Sequence, residues 1–209
     1  MDLKKITAYC EKLSSPPSDL LIQLERETHL KTLAPQMISG HIQGALLSLI
    51  SEWVQPQAIL EIGTFTGYGT LCLSKGLREN GTLHTIEVNP ELTAISRKYF
   101  LLAGIEERVQ HYIGDAQFII PAIDELFDLV FIDAGKREYQ LHYDLVFEKV
   151  KPGGIILADN VLWSGKVSDT SSDKDTEILK AFNQKIKDDS RVRNLLLPIR
   201  DGLMIAIKN

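Results

Sequence analysis

From residue 57 to the end of the chain, short β-rich apolar runs alternate with stretches of helical period. That alternation marks a parallel sheet whose strands are joined by crossover helices. Strands are predicted at 58–62, 82–88, 109–113, 127–132 and 154–158, with helices at 66–78, 90–103, 116–125 and 136–150 between them. Asn89-Pro90 supplies an N-cap followed by proline at the first helical position. Lys151-Pro152-Gly153-Gly154 reads as a stop and turn. Beyond the fifth strand the pattern changes: 164–176 is polar and reads as a loop, and a helix follows at 175–188. Two last apolar runs, 192–197 and 203–207, flank a short turn containing Asp201-Gly202, which predicts a hairpin. The expected fold is α/β: a seven-stranded, mostly parallel sheet with an antiparallel last strand and helices on both faces.

The first 56 residues follow another rule. Pro16-Pro17 splits two helical segments, and Ser39 stands as the cap of a third, in which Ile42, Leu46, Leu49 and Trp53 recur at helical spacing. A helical cap (1–56) on a sheet core (57–209) within one domain fits a chain of 209 residues. Its 44% hydrophobic and 24% charged residues are those of an ordinary globular domain. No run approaches the ~20 apolar residues of a membrane-spanning helix. Met1-Asp2-Leu3-Lys4-Lys5 opens no export signal, so a cytoplasmic location is expected. The net charge of −5 and the lack of a long basic run disfavour nucleic acid as partner. Cys10 and Cys72 form no paired motif and read as small buried or half-buried apolar residues, and the five histidines lack zinc-type spacing.

Candidate chemistry begins after the first strand, at Glu61-x-Gly63-x-x-x-Gly67-x-Gly69. Ligands of doubly wound sheets bind beyond the carboxyl ends of the strands, where winding reverses. A dinucleotide site wants G-x-G-x-x-G, which this spacing is not. A carboxylate at Glu61 opposes phosphates and suits a sulfonium or amino group. Glu87, at the end of strand two, can accept hydrogen bonds from both ribose hydroxyls. The pair favours an adenosyl ligand without phosphate, and S-adenosylmethionine fits. Gly114-Asp115-Ala116, after strand three, is where an adenine would be gripped. A plain strand–helix connection is the bland alternative.

Strand four ends in Asp133 and strand five in Asp159-Asn160. On neighbouring strands these side chains would converge, because strands lie about 4.8 Å apart. Two carboxylates and an amide oxygen make a hard site for Mg²⁺, Mn²⁺ or Ca²⁺ with positions left open for substrate oxygens. Singly, Asp133 reads as well as a helix cap and Asp159-Asn160 as a turn; together they favour the metal.

The stretches LEIGTFTGYG (60–69), FDLVFIDAGKREY (127–139), VKPGGIILADNVLWSGKV (150–167) and LPIRDGL (197–203) resemble the cation-dependent O-methyltransferases of the caffeoyl-CoA and catechol type, as does ETHLKTLAPQM (27–37) with Gln43-Gly44. The resemblance spans nearly the whole chain and implies a Rossmann-like class I methyltransferase. It implies Asp133, Asp159 and Asn160 as metal ligands and Lys136 as catalytic base. Around the cofactor it implies Met37, Gly63, Tyr68, Glu87, Asp115, Ala116 and Asp133. Family members usually carry Ser at Gly69 and often Asp at Gly135, residues that hold the methionine end of the cofactor. Thr70 or Thr64 stand as substitutes. Arg200 takes a place that is usually small, and faces substrate or solvent.

The expected reaction moves a methyl group from S-adenosylmethionine to one hydroxyl of a vicinal diol on an aromatic ring. Trp163 is a candidate to stack on that ring, or else a loop anchor. The polar loop 164–176 reads as a lid or an exposed linker. Without the resemblance, Lys136 reads as a solvated helix lysine pairing with Glu138 or Asp144. Two other functions stay open: methylation of a hydroxylated uridine in tRNA, as in some bacterial members of the family, and a non-catalytic adenosyl-binding protein. A homodimer is expected from the apolar surface of the N-terminal helices and from the family.

Overall fold

The computed structural model describes residues 3–170 and 173–209. Met1 and Asp2 at the chain's start, and residues 171–172 of the polar loop, lie outside the described residues. Three helices come first: α1 (Leu3–Leu13), α2 (Asp19–Lys31) and α3 (Gly40–Val54). Then β1 (Ala58–Ile62), α4 (Tyr68–Leu73), β2 (Thr82–Glu87), α5 (Thr93–Leu102), β3 (Val109–Ile113) and α6 (Ala116–Ala122) alternate. The chain continues with β4 (Phe127–Ile132), α7 (Tyr139–Phe147), β5 (Val150–Ala158), α8 (Lys174–Asp188), β6 (Val192–Leu197) and β7 (Leu203–Lys208).

The seven strands form one sheet in the order β3-β2-β1-β4-β5-β7-β6. β7 alone is reversed, antiparallel to both β5 and β6. Winding runs outward from β1 to β3 and then restarts at β4, so β1 and β4 flank the switch point where such sheets bind ligands. Every residue of β1 is buried, as a strand covered on both faces must be. One core layer gathers Ile120, Tyr139, Tyr143, Val146 and Phe182, with the Tyr139 and Phe182 rings edge-on at 5.3 Å. Such a ring pair adds about 0.5–1.5 kcal/mol beyond its buried area. The other layer packs Leu24 and Leu47 of the N-terminal helices with Tyr68, Cys72 and Phe100.

Several boundaries differ from the sequence reading. β2 stops at Glu87, and Val88 is exposed. α4 is confined to Tyr68–Leu73: Gly67, at φ +94°, admits no earlier helical turn, and a 3-10 turn at Ser74–Gly76 ends it. Asn89 accepts from the Glu91 amide as predicted, yet Pro90–Leu92 is a 3-10 turn ahead of α5. Lys136–Glu138 is another, so Lys136 precedes α7 rather than opening it. Lys151-Pro152-Gly153-Gly154 lies inside β5 instead of ending an element. There Phe127 pairs with Val150 but Leu129 with Ile155, and Gly153 takes the bulge at φ +77°. Ser39 precedes α3 without a capping side-chain bond. The predicted stripe on α3 flanks the buried face: Ile42 and Leu46 are half-buried, Leu49 and Trp53 are exposed, and Gln43, Gly44, Leu47, Ile50 and Ser51 are buried. Cys72 is buried but Cys10 is exposed. Among the described residues no helix is long and apolar enough to cross a membrane.

Candidate active site

A cavity of about 950 Å³ opens at the carboxyl ends of β1, β2, β4 and β5. That size suits a nucleoside-bearing ligand together with a small acceptor. Its floor is the loop after β1. Gly63, at φ +104°, packs so closely on the main chain after β4 that a Cβ there would stand 1.9 Å from the Asp133 carbonyl oxygen. Only glycine lets these two strand ends close, and the Asp133 amide donates to the Ile62 carbonyl at 2.8 Å.

At the β2 end, the buried Glu87 accepts from the Phe65 amide at 2.7 Å and from the Asn89 amide at 2.8 Å. Both oxygens are oriented by main chain and keep lone pairs toward the cavity. Asp115 caps α6 through the Gln117 amide at 2.9 Å, which holds its carboxyl below the usual range. Gly114, Asp115 and Ala116 line the same wall, and Met37 stands at the rim, 60% exposed.

Glu61, Tyr68 and Gly69 stand elsewhere. They line a narrow cleft behind the main cavity, sharing Met37, Gly63 and Asp133 with it. Glu61 is fully enclosed, and one of its oxygens accepts from the hydroxyls of Thr70 and Thr85. Its other oxygen, Oε1, is buried without a partner. Burial pushes this carboxyl up to about 8, against the opposing pull of the two hydroxyls. A Cβ at Gly69 would stand 2.5 Å from Oε1, so glycine here makes room for the glutamate. Thr70 is spent on Glu61, and Thr64 shares its hydroxyl with Thr85 at 2.6 Å.

The β4 and β5 ends carry the second cluster. Asp133, Asp159, Asn160, Lys136, Trp163 and Arg200 all line the main cavity. Asp159 is 2% exposed; its Oδ2 accepts from Gln43 Nε2 at 2.7 Å, and its Oδ1 is buried without a partner. Lys136 Nζ donates to Asn160 Oδ1 at 2.7 Å and reaches the Tyr139 hydroxyl at 3.4 Å, which in turn donates to the Asp159 carbonyl at 2.8 Å. The pairing of Lys136 with Glu138 or Asp144 is not the one found, and Asp144 instead accepts from Lys185 at 2.6 Å. Asn160 adopts a left-handed φ of +55°, which asparagine tolerates better than most residues. Burial raises Asp133 above the ordinary carboxylate range, with the Asp159 charge adding to it, and burial raises Asp159 too. Burial lowers Lys136, against the pull of both carboxylates. Trp163 sits beside this lysine, 5.8 Å from ring centre to Nζ, with its own indole N–H buried and unpartnered. The Arg200 guanidinium reaches Gln43 and the carbonyls of Ile38 and Ser39. The sequence alone does not mark Gln43 or Tyr139 as parts of a site.

Among the described residues no group of three His, Cys, Asp or Glu side chains is placed to hold a metal. Two carboxylates and an amide are another matter. The donor set is hard and all-oxygen, and the orphaned Oδ1 of Asp159 is a buried acceptor without a hydrogen-bond donor, which fits a divalent cation.

Residues 11–209 match the O-methyltransferase family. The chain is 30% identical to a probable caffeoyl-CoA O-methyltransferase 2 of Dictyostelium discoideum, over 91% of this chain and 87% of the relative. It is 34% identical to a catechol O-methyltransferase of Niastella koreensis, over 79% of each. The O-methyltransferase TomG of Streptomyces achromogenes, solved in complex with SAM, superposes with a TM-score of 0.91 at 26% identity, covering 100% of this chain and 99% of that one. The SAH-bound Podospora anserina methyltransferase PaMTH1 gives 0.90 at 27% identity, covering 99% and 95%. The site at the strand ends and the match along nearly the whole length agree: this chain belongs to the O-methyltransferase family and is an S-adenosylmethionine-dependent enzyme of that class.

Proposed function

We propose that the chain binds S-adenosylmethionine along the β1–β3 side of the cavity and, with a divalent cation at Asp133, Asp159 and Asn160, methylates one hydroxyl of an aromatic vicinal diol. The observation that carries this reading is the unpartnered, buried Oδ1 of Asp159 beside Lys136, in the cavity that Glu87 also lines. S-adenosylmethionine supplies the methyl group, and the cation supplies Lewis-acid polarisation of the acceptor oxygens. Glu87 accepts the ribose hydroxyls with the lone pairs its two amide bonds leave free. Asp115 and Ala116 border the adenine, Met37 closes the rim, and Gly63 brings main chain close. Glu61 faces the methionine end from behind through its free Oε1, in the cleft it shares with Tyr68 and Gly69. Lys136 takes the acceptor's proton at Nζ, and its lowered pKa makes the neutral amine easier to reach. Trp163 offers a face for the ring, and Arg200 borders the acceptor end.

Labelled S-adenosylmethionine tests the reading, offered with Mg²⁺ or with chelator against a panel of catechols and undermodified tRNA. Label on a catechol only when Mg²⁺ is present is expected. Label on tRNA alone would move the acceptor to a hydroxylated uridine, and no label on either would overturn both acceptor readings. The reading extends to a homodimer, for which Ile6, Tyr9 and Leu13 on α1 and Trp53 on α3 offer exposed apolar surface. Sedimentation should give a species heavier than the 23.4 kDa of one chain.

A further inference from the structure

Asp159 is held by an arm two residues long, Gln43 and then Arg200. Gln43 of α3 is 2% exposed and lies between two charged groups. Its Nε2 donates to Asp159 Oδ2 at 2.7 Å, and its Oε1 accepts from Arg200 Nη1 at 2.9 Å. The same guanidinium donates to the Ser39 carbonyl and, through Nη2, to the Ile38 carbonyl at 3.1 Å. A primary amide has one donor end and one acceptor end, whereas an ionised carboxylate only accepts and a guanidinium only donates. Reversing the Gln43 amide would set its carbonyl against the carboxylate and its NH₂ against the guanidinium, losing both bonds. Arg200 thereby dictates which end of Gln43 meets Asp159. With Oδ2 so engaged, Oδ1 is left buried and unpartnered, the oxygen on offer to a cation.

We propose that Arg200 is a positioning residue for the divalent-cation site: by locking the Gln43 amide it holds Asp159 in the orientation that presents Oδ1. This rests on the reading of Asp133, Asp159 and Asn160 as that site. Partners that orient a ligand typically change metal affinity ~10–100-fold when removed. A bare charge effect has the opposite sign, since removing a nearby cationic side chain would tighten binding of a divalent cation. The direction of the change therefore separates positioning from electrostatics.

The test titrates Mn²⁺ alone into the purified full chain, reading free Mn²⁺ by electron paramagnetic resonance. Arg200→Met and Gln43→Leu should each weaken Mn²⁺ about tenfold or more. The double variant should bind no worse than Gln43→Leu, because the two residues act in series. Arg200→Lys, which keeps a donor, should recover part of the loss. Unchanged or tighter Mn²⁺ binding by Arg200→Met, or losses that multiply in the double variant, would overturn the proposal. Melting and metal-free S-adenosylmethionine affinity report which variants are folded, and Arg200→Ala replaces Arg200→Met if that one is not. A wild-type chain that takes up no Mn²⁺ would sink the cation reading and this proposal with it. Wild-type binding with indifferent variants would sink this proposal alone.

Discussion

At the end of β2, both oxygens of Glu87 are engaged by main-chain amides, from Phe65 just after β1 and Asn89 just after β2. At the end of β5, one oxygen of Asp159 is held by Gln43, from a helix 116 residues away, and the other has no partner. The first carboxylate is complete before any ligand arrives and is oriented by loops that the sheet itself fixes. The second depends on side chains from distant elements and stays one partner short. On the proposed function the two ends would divide the work: a preset acceptor for ribose hydroxyls on one side, an open buried oxygen for a cation on the other. Damage at the β5 end should appear in turnover and metal uptake, and damage at the β2 end in cofactor affinity.

The largest effect expected is at the β5 end. Asp159→Ala should lower methyl transfer ~10³-fold or more, since Lewis-acid assistance is worth several kcal/mol and each 1.36 kcal/mol is tenfold. S-adenosylmethionine affinity measured by calorimetry should hardly move. Turnover persisting in excess chelator would break the division between the two ends. Next comes Lys136→Met, which should cut kcat by ~10²–10⁴-fold and remove the rising limb of the pH–rate profile. Cofactor affinity should hold, because Lys136 bonds to Asn160 and Tyr139 and to nothing at the Glu87 end. A variant that keeps its rate and profile would make this lysine structural.

Glu87→Ala sharpens the other side. Hydrogen bonds to a charged group are worth ~1.5–3 kcal/mol, so S-adenosylmethionine affinity should fall by one to two orders of magnitude. The rate at saturating cofactor should be nearly kept. A large loss of kcat with unchanged affinity, read from the two constants separately, would show that the ends are not independent.

What the sequence shows of this site follows the same division. Glu87, Asp133, Asp159 and Asn160 are legible because each ends an apolar run, and strand ends at a switch point are where ligands bind. Gln43 and Tyr139 are visible only within the stretches that carry the resemblance, with no role marked: their partners lie 116 and 20 residues away, and only the packing of α3 and α7 on the sheet brings them in. Arg200 is visible as a residue but not as an anchor, since its acceptors on 38, 39 and 43 belong to the N-terminal cap. Helix ends are not legible where 3-10 turns intervene, and the start of β5 is hidden because its Pro-Gly-Gly bulge reads as a stop.

The smallest effect concerns the carboxylate that belongs to neither end. Glu61 is enclosed behind the cavity with Oε1 unpartnered, and burial raises it to about 8. In the unfolded chain a glutamate titrates near 4.3. Between those two values the folded chain binds a proton at this position that the unfolded chain has released, so stability falls as pH rises through the window. Glu61→Gln keeps the size and the hydroxyl contacts of Thr70 and Thr85 while removing the titration. Below about pH 4 the variant and the wild type should melt together; toward pH 8 the variant should become increasingly the more stable. In a chain of this size each kcal/mol shifts Tm by about 2–4 °C. Ligand-free protein is the right material, because a bound amino group or sulfonium would favour the ionised carboxylate and close the gap. Melting curves that run parallel across the window would mean that Glu61 stays ionised in the fold, and the cleft behind the cavity would then hold a charge it does not neutralise.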